Sequence, residues 1–269
     1  MEEYSVYNDI SKRTNGEFYL GVCGPVRTGK STFIKKFMEM FVLPGIRDEN
    51  DRKRAMDELP QSAEGKTIMT TEPKFIPKEA VKINLFDGND IKVRMVDCVG
   101  YIVEDAGGLM EGERERMVMT PWSEEPMPFA KAAEYGTKKV IHDHSTIGIV
   151  ITTDGSFGDI SRQSYKAAED KTISELKSIG KPFIVIVNSA NPFGEKAKDV
   201  INEIKERTGV TPVALNCMQL SREDVSRIMK KILDSFPVSQ VSFYLPKWVE
   251  MLKTSHWLKQ ELVDRKSVV

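Results

Sequence analysis

A doubly wound α/β fold, with a mostly parallel sheet and one antiparallel hairpin strand, is predicted for this chain by three observations. Residues Gly24-Pro25-Val26-Arg27-Thr28-Gly29-Lys30-Ser31 match G-x-x-x-x-G-K-[ST] in full, between a strand-like and a helix-like run. Two runs of period-two alternation flank the turn cluster Asp87-Gly88-Asn89-Asp90, the pattern of a hairpin. Further apolar runs of strand length then alternate with helical stripes as far as Leu215.

Residues 4–14 read as a short, weakly amphipathic helix. Phe18–Cys23 is an apolar run fit for a buried strand, and Ser31–Met40 reads as the helix after the glycine loop. The dense mixed charge of 47–54 suits a solvated helix face or loop. Gln61–Thr71, rich in small polar residues, reads as an irregular loop. Val81–Leu85 and Ile91–Val96 alternate and form the hairpin. A P-loop NTPase whose second and third strands pair in this way resembles the translation-factor-like GTPase type. Residues 101–125 read as a long loop and 126–141 as a helix. Ile147–Ile151 is a continuous apolar run, as in a central strand covered on both faces. The next helix carries Tyr165, Ala168, Thr172, Leu176 and Ile179 on one stripe and stops at Gly180. Phe183–Val187 is another buried strand. A helix over 195–207 turns Ala197, Val200, Ile201 and Ile204 inward, Thr211–Leu215 is the last strand, and Ser221-Arg222-Glu223-Asp224 caps a helix running to about Phe236. Residues 1–236 are therefore expected as one P-loop domain. Residues 237–269, with Trp248, Leu252 and Trp257, are expected as a C-terminal extension that packs on it or begins another domain.

With 39 basic and 40 acidic residues, the net charge of −1 argues against non-specific nucleic-acid binding. Cys23, Cys98 and Cys217 are odd in number and far apart, which predicts a reducing, cytoplasmic setting and no disulfides. Met1-Glu2-Glu3-Tyr4 has no signal-peptide character, and no apolar run is long enough to span a bilayer, so membrane contact is expected to be peripheral.

The glycine loop carries the chemistry. Its two glycines let the main chain wrap a phosphate without Cβ clashes, and successive N–H groups at a helix start supply partial positive charge. Gly24, Pro25, Val26, Arg27, Thr28, Gly29, Lys30, Ser31 and Thr32 are the expected nucleotide-binding set, with Lys30 on the β- and γ-phosphates and Ser31 on Mg²⁺. Arg27 either lends a positive charge near the phosphates or points outward to solvent or a partner. Asp97, at the end of an apolar strand, is placed to hold Mg²⁺ through water, and Gly100 completes D-x-x-G, whose N–H can approach a γ-phosphate. A threonine that closes over Mg²⁺ is expected in the preceding loop, with Thr67, Thr70 and Thr71 as candidates.

Two departures from the GTPase pattern bear on the substrate. Tyr101 stands where a water-orienting Gln often follows D-x-x-G. Asn188-Ser189-Ala190-Asn191 stands where N-K-x-D would read guanine, so the carboxylate that pairs with two guanine donors is missing. ATP is therefore the expected nucleotide, with a GTP-dependent switch that recruits partners as the alternative. His142-Asp143-His144 has too few ligands nearby for a metal centre and reads as a helix C-terminal pair.

Several long blocks resemble the stage IV sporulation protein A family of spore-coat morphogenetic ATPases. They are Gly24–Ser31 with the following Thr-Phe-Ile-Lys-Lys-Phe-Met, Asp57–Ala63, Lys66–Phe75, Val96–Tyr101 and His144–Gly148 through Thr152–Gly155. The resemblance implies Mg²⁺-dependent ATP hydrolysis, probed through Gly24, Gly29, Lys30, Ser31, the sensor threonines Thr70 and Thr71, and Asp97. It implies self-assembly into a layer on the outer forespore membrane, inside the mother cell. It also implies partners, a small amphipathic membrane peptide and other coat proteins, which bind mostly through regions beyond Val269. Family members are considerably longer than this chain.

Overall fold

The computed structural model describes residues 17–60, 73–86, 89–111, 114–235, 247–253 and 255–265. The helix expected over 4–14, the loop over 61–71 and the centre of the hairpin turn lie outside them. The chain divides into two compact units, Met1–Ser235 and Phe236–Val269.

The first unit is an α/β fold around a six-stranded sheet in the order β10-β9-β8-β1-β3-β2. β1 (Glu17–Cys23) lies parallel to both β3 (Asn89–Asp97) and β8 (Ile147–Thr153). β9 (Phe183–Asn188) and β10 (Val213–Leu215) extend the parallel run, and β2 (Lys74–Phe86) is antiparallel to β3 at the edge. All seven residues of β8 are buried, which is why its sequence is apolar without alternation. Helices α1 (Lys30–Phe37), α2 (Glu49–Asp57), α3 (Phe129–Lys139), α4 (Arg162–Ser178), α5 (Glu195–Thr208) and α6 (Arg222–Asp234) complete the unit. The core is aliphatic and aromatic, with Phe18, Leu20, Phe33, Phe37, Met95, Phe129 and Tyr165 among its largest fully buried side chains. Close packing of α4 on β8 depends on Gly148, where a Cβ would come within 2.8 Å of Leu176.

Several sequence readings are realised locally. Tyr165, Ala168, Thr172 and Leu176 are buried on α4, and Ala197, Val200 and Ile204 on α5. Ser221 and Asp224 cap α6 reciprocally: the Asp224 N–H donates to Ser221 Oγ at 3.1 Å, and the Ser221 N–H donates to Asp224 Oδ2 at 3.1 Å. The charged stretch is a solvated helix, α2, whose N-cap Asp48 accepts from the Asn50 and Asp51 amides and which buries only Ala55. The cysteines are buried thiols, and no helix among the described residues is long and apolar enough to cross a membrane.

Other elements differ from expectation. α1 ends at Phe37 and continues as a π-helical turn over Met38–Val42. β2 begins at Lys74, not Val81, because register irregularities between Ile76 and Val81, around Pro77, break the alternation that would have announced it. The predicted 101–125 loop contains two small hairpins, β4 (Met110–Glu111) with β5 (Arg114–Glu115) and β6 (Met117–Thr120) with β7 (Ser123–Pro128). The helix expected from 126 therefore starts at Phe129, since Pro126 and Pro128 hold the preceding chain extended. His142-Asp143-His144 lies in a π-helical turn, with His144 edge-on to Phe75 at 5.4 Å, and no group of three metal-binding side chains occurs among the described residues.

A buried ionic cluster joins three elements. The fully buried carboxylate of Glu169 on α4 accepts from Thr152 Oγ1 on β8, from both terminal nitrogens of Arg162, and from Arg207 Nη2 of α5 at 2.8 Å. In the second unit, α7 (Lys247–Glu250) and α8 (Trp257–Arg265) are short, and the His256 ring stacks on Trp257 at 5.9 Å.

Candidate functional site

The chain crosses from one side of β1 to the other after β3, so the carboxyl ends of β1, β3, β8 and β9 border one crevice, where ligands bind in open α/β sheets. Gly24, with φ 122°, opens the loop after β1, and Gly29, with φ 96°, sits at the N-cap of α1. A Cβ on Gly29 would lie 2.5 Å from Asn188 Nδ2, so glycine is required there by space as well as by angle. Arg27 is the one non-glycine residue with positive φ among the described residues, at 61°, and its side chain is exposed.

The loop is braced from within. Thr28 Oγ1 donates to the Pro25 carbonyl at 3.0 Å, and Lys30 Nζ donates to the same oxygen at 2.6 Å. Val26 is buried beneath it, and Ser31 and Thr32 are half-buried at the start of α1. Asn188, at the end of β9, braces it from outside: its Nδ2 donates to the Thr28 carbonyl at 3.0 Å and its Oδ1 accepts from the Cys217 amide at 3.0 Å.

Asp97 is registered beside Val22, so its carboxylate stands at the mouth of the loop. Oδ2 accepts from Ser31 Oγ at 3.4 Å, while Oδ1 is buried without a hydrogen-bond partner. Burial raises the carboxyl to about 6, against the opposing pull of Lys30 and Ser31. Burial also lowers the Lys30 amine below its ordinary value, with Cys98 and Asp97 working the other way. An orphaned carboxylate oxygen beside a serine hydroxyl is an all-oxygen donor set with an unmet demand for positive charge, which fits Mg²⁺. Cys98 is a neutral thiol, pushed up to about 11 by burial, and donates to the Val22 carbonyl at 3.2 Å.

Gly100, with φ 95°, lies against the Lys30 amine, where a Cβ would stand 2.6 Å from Nζ and collide with the Gly24 carbonyl. The Tyr101 N–H donates to the Gly24 carbonyl at 3.1 Å, and the Val26 N–H donates to the Tyr101 carbonyl at 2.9 Å. Lys30, Ser31, Asp97 and Gly100 thus converge at one point.

Two other sequence candidates behave differently. Ser189 is fully buried, and its hydroxyl donates to Asp154 Oδ2 at 2.6 Å, so it faces inward. Asn191 is exposed on the same loop. Thr70 and Thr71, with Thr67, lie outside the described residues. Asp154 is the residue sequence reading passed over. It is buried after β8, accepting from Ser189 and from the Ser156 amide at 2.9 Å. Its signal was part of the one used for Asp97, an aspartate just past the end of an apolar strand, without the D-x-x-G spacing.

Residues 1–237 match the family described as "Stage IV sporulation protein A, ATPase domain". Proteins called Stage IV sporulation protein A are similar to it in Bacillus subtilis (strain 168), 52% identical over 97% of this chain, and in Clostridioides difficile (strain 630), 52% identical over 96%. The relative in Bacillus anthracis is 50% identical over 97%. Each alignment covers 53% of the relative, so the chain spans about half the length of the curated relatives it matches. A crystal structure of an SsGBP variant aligns over 83% of this chain and 58% of its own at 14% identity and TM-score 0.42, a distant likeness that adds nothing to the strand order. With the family match running through the glycine loop, Asp97 and every strand of the sheet, this chain belongs to the stage IV sporulation protein A family and carries its ATPase domain.

Proposed function

We propose that this chain binds and hydrolyses ATP with Mg²⁺, and that in the whole protein hydrolysis drives polymerisation into the basement layer of the spore coat. That layer would form on the outer forespore membrane, from the mother-cell cytoplasm, with a small amphipathic membrane peptide and other coat proteins as partners. The observation that carries the reading is the convergence of Lys30, Ser31, Asp97 and Gly100 around the glycine loop. The strand order, with β2 antiparallel beside β3, supports the translation-factor-like P-loop type.

Each residue then has a task. Main-chain N–H groups of 27–31 cradle the phosphates, since Pro25 has none and that of Val26 is given to the Tyr101 carbonyl, and Lys30 turns from the Pro25 carbonyl to the β- and γ-phosphates. Ser31, and Asp97 through water, would hold Mg²⁺, which neutralises charge on the β- and γ-oxygens. Gly100 offers its N–H to the γ-phosphate. Asn188 keeps the loop in shape, and the exposed Arg27 faces outward. Hydrolysis is slow, because the residue after Gly100 is a buried tyrosine that cannot orient water.

Thr70 and Thr71 act as sensors of Mg²⁺ and the γ-phosphate. Changing both to alanine should leave nucleotide affinity within a few-fold and cut turnover by at least about tenfold, since such contacts are realised mainly in the transition state. Titration and single-turnover assays of one preparation check it, and a collapse of affinity would make the segment a binding element.

The base preference follows from what the 188–191 loop lacks. No carboxylate extends from position 191 to pair with guanine N1 and N2 donors, and Ser189 is engaged with Asp154. ATP should be preferred over GTP by at least about tenfold, about 1.4 kcal/mol. Competition of both nucleotides against a fluorescent ATP analogue, with hydrolysis and sedimentation of the same samples, tests the preference and assembly together. Equal or better displacement by GTP would return the alternative, a GTP-dependent switch that recruits partners.

A further inference from the structure

Tyr101 has more contacts than a core tyrosine needs. Its ring is buried, its main chain pairs with the glycine loop on both sides, and its hydroxyl donates to Glu175 Oε2 on α4. Lys171 Nζ lies 4.9 Å from the ring centroid. Lys138 of α3 reaches Glu175 at 3.7 Å and Glu134 at 2.9 Å, and Lys171 reaches Glu134 at 2.8 Å. The hydroxyl is therefore anchored in a charged lattice between two helices, while the backbone of the same residue holds Gly24 and Val26. A phenylalanine would fill the same space but leave Glu175 without this donor, so the part the hydroxyl plays can be separated from the packing of the ring. Burial drives the phenol far above its ordinary range, which keeps it a donor.

We propose that Tyr101 is a positioning residue for ATP hydrolysis: tied to Glu175, it fixes the main chain of Gly100 against Lys30 so that the Gly100 N–H is preset for the γ-phosphate. The role rests on the ATPase reading above. Residue 101 thus serves the γ-phosphate through its neighbour and stays out of contact with the attacking water. ADP, which lacks the γ-phosphate, does not use this contact. Loss of the hydroxyl therefore separates ATP from ADP, which a purely structural defect does not.

Tyr101→Phe, Glu175→Ala and Glu175→Gln in the full 269-residue chain test it, with ADP and a non-hydrolysable ATP analogue as calorimetric probes and kcat and KM for ATP measured in parallel. Tyr101→Phe and Glu175→Ala should keep ADP affinity within about twofold, lose the preference for the ATP analogue by roughly tenfold, and lower kcat by a similar factor. Glu175→Gln, which retains an acceptor, should stay near wild type. Wild-type preference and kcat in Tyr101→Phe, or equal weakening of both nucleotides, overturn the proposal and leave the ATPase reading standing. Failure of the wild-type chain to bind either probe overturns both.

Discussion

Alanine in place of Lys30 should abolish tight nucleotide binding, with a loss of at least about a hundredfold, about 2.7 kcal/mol. The amine is buried at the mouth of the glycine loop, 2.6 Å from the Pro25 carbonyl, where its charge is little screened by water. The loop amides are dipoles, and they do not neutralise a triphosphate alone. The same change should leave the empty protein folded, because it removes a buried ammonium whose charged form burial disfavours. Calorimetric titration beside a melting curve checks both halves. Unchanged affinity would mean that the loop does not bind phosphate.

The second large effect is expected at Asp97. Asp97→Asn should lower Mg²⁺-dependent turnover by at least about a hundredfold while stabilising the nucleotide-free protein near neutral pH. Its folded carboxyl titrates at about 6, above the ordinary 3.8, so the folded state binds the proton more tightly than the unfolded chain does. The stability linked to that proton is fully present below about 3.8 and lost as the pH rises through about 6, reaching a cost on the order of 3 kcal/mol. The asparagine variant avoids this cost, so its melting advantage should be largest above pH 6 and shrink below it. Scans at several pH values read the difference, and an advantage independent of pH would mean the carboxylate is not strained by burial. Mg²⁺ needs the ionised form, so nucleotide binding in its presence should release a proton below about pH 6.

Much of this was legible in the chain. The parallel strands announced themselves because burial on both faces demands unbroken apolar runs, as in Ile147–Ile151. Lys30, Ser31, Asp97 and Gly100 stood out because phosphate and Mg²⁺ chemistry tolerates few residue types at fixed spacing. The start of β2 stayed hidden because an irregular register around Pro77 destroys the alternation. The small hairpins within 110–128 stayed hidden because their residues are mostly exposed and carry no apolar period. At the site, spacing showed that position 189 is not lysine but could not show the hydroxyl turned inward to Asp154, since that contact spans 35 residues. Tyr101 read only as a missing glutamine, because its partner Glu175 lies 74 residues away in the sequence.

The cluster around Glu169 has a consequence for how this sequence can drift. Its carboxylate is enclosed by Arg162, Arg207 and Thr152, so losing one arginine leaves it paired to the other, while losing both strands charge in the interior at a cost of about 3–5 kcal/mol. Exchanging the whole set for apolar side chains of matching volume carries little such cost. Each residue is therefore held in place by the others, and the route between the two solutions crosses a valley of unstable intermediates. Substitutions on α4 and α5 interact strongly, so the effect of a change at Arg207 depends on what already stands at position 169.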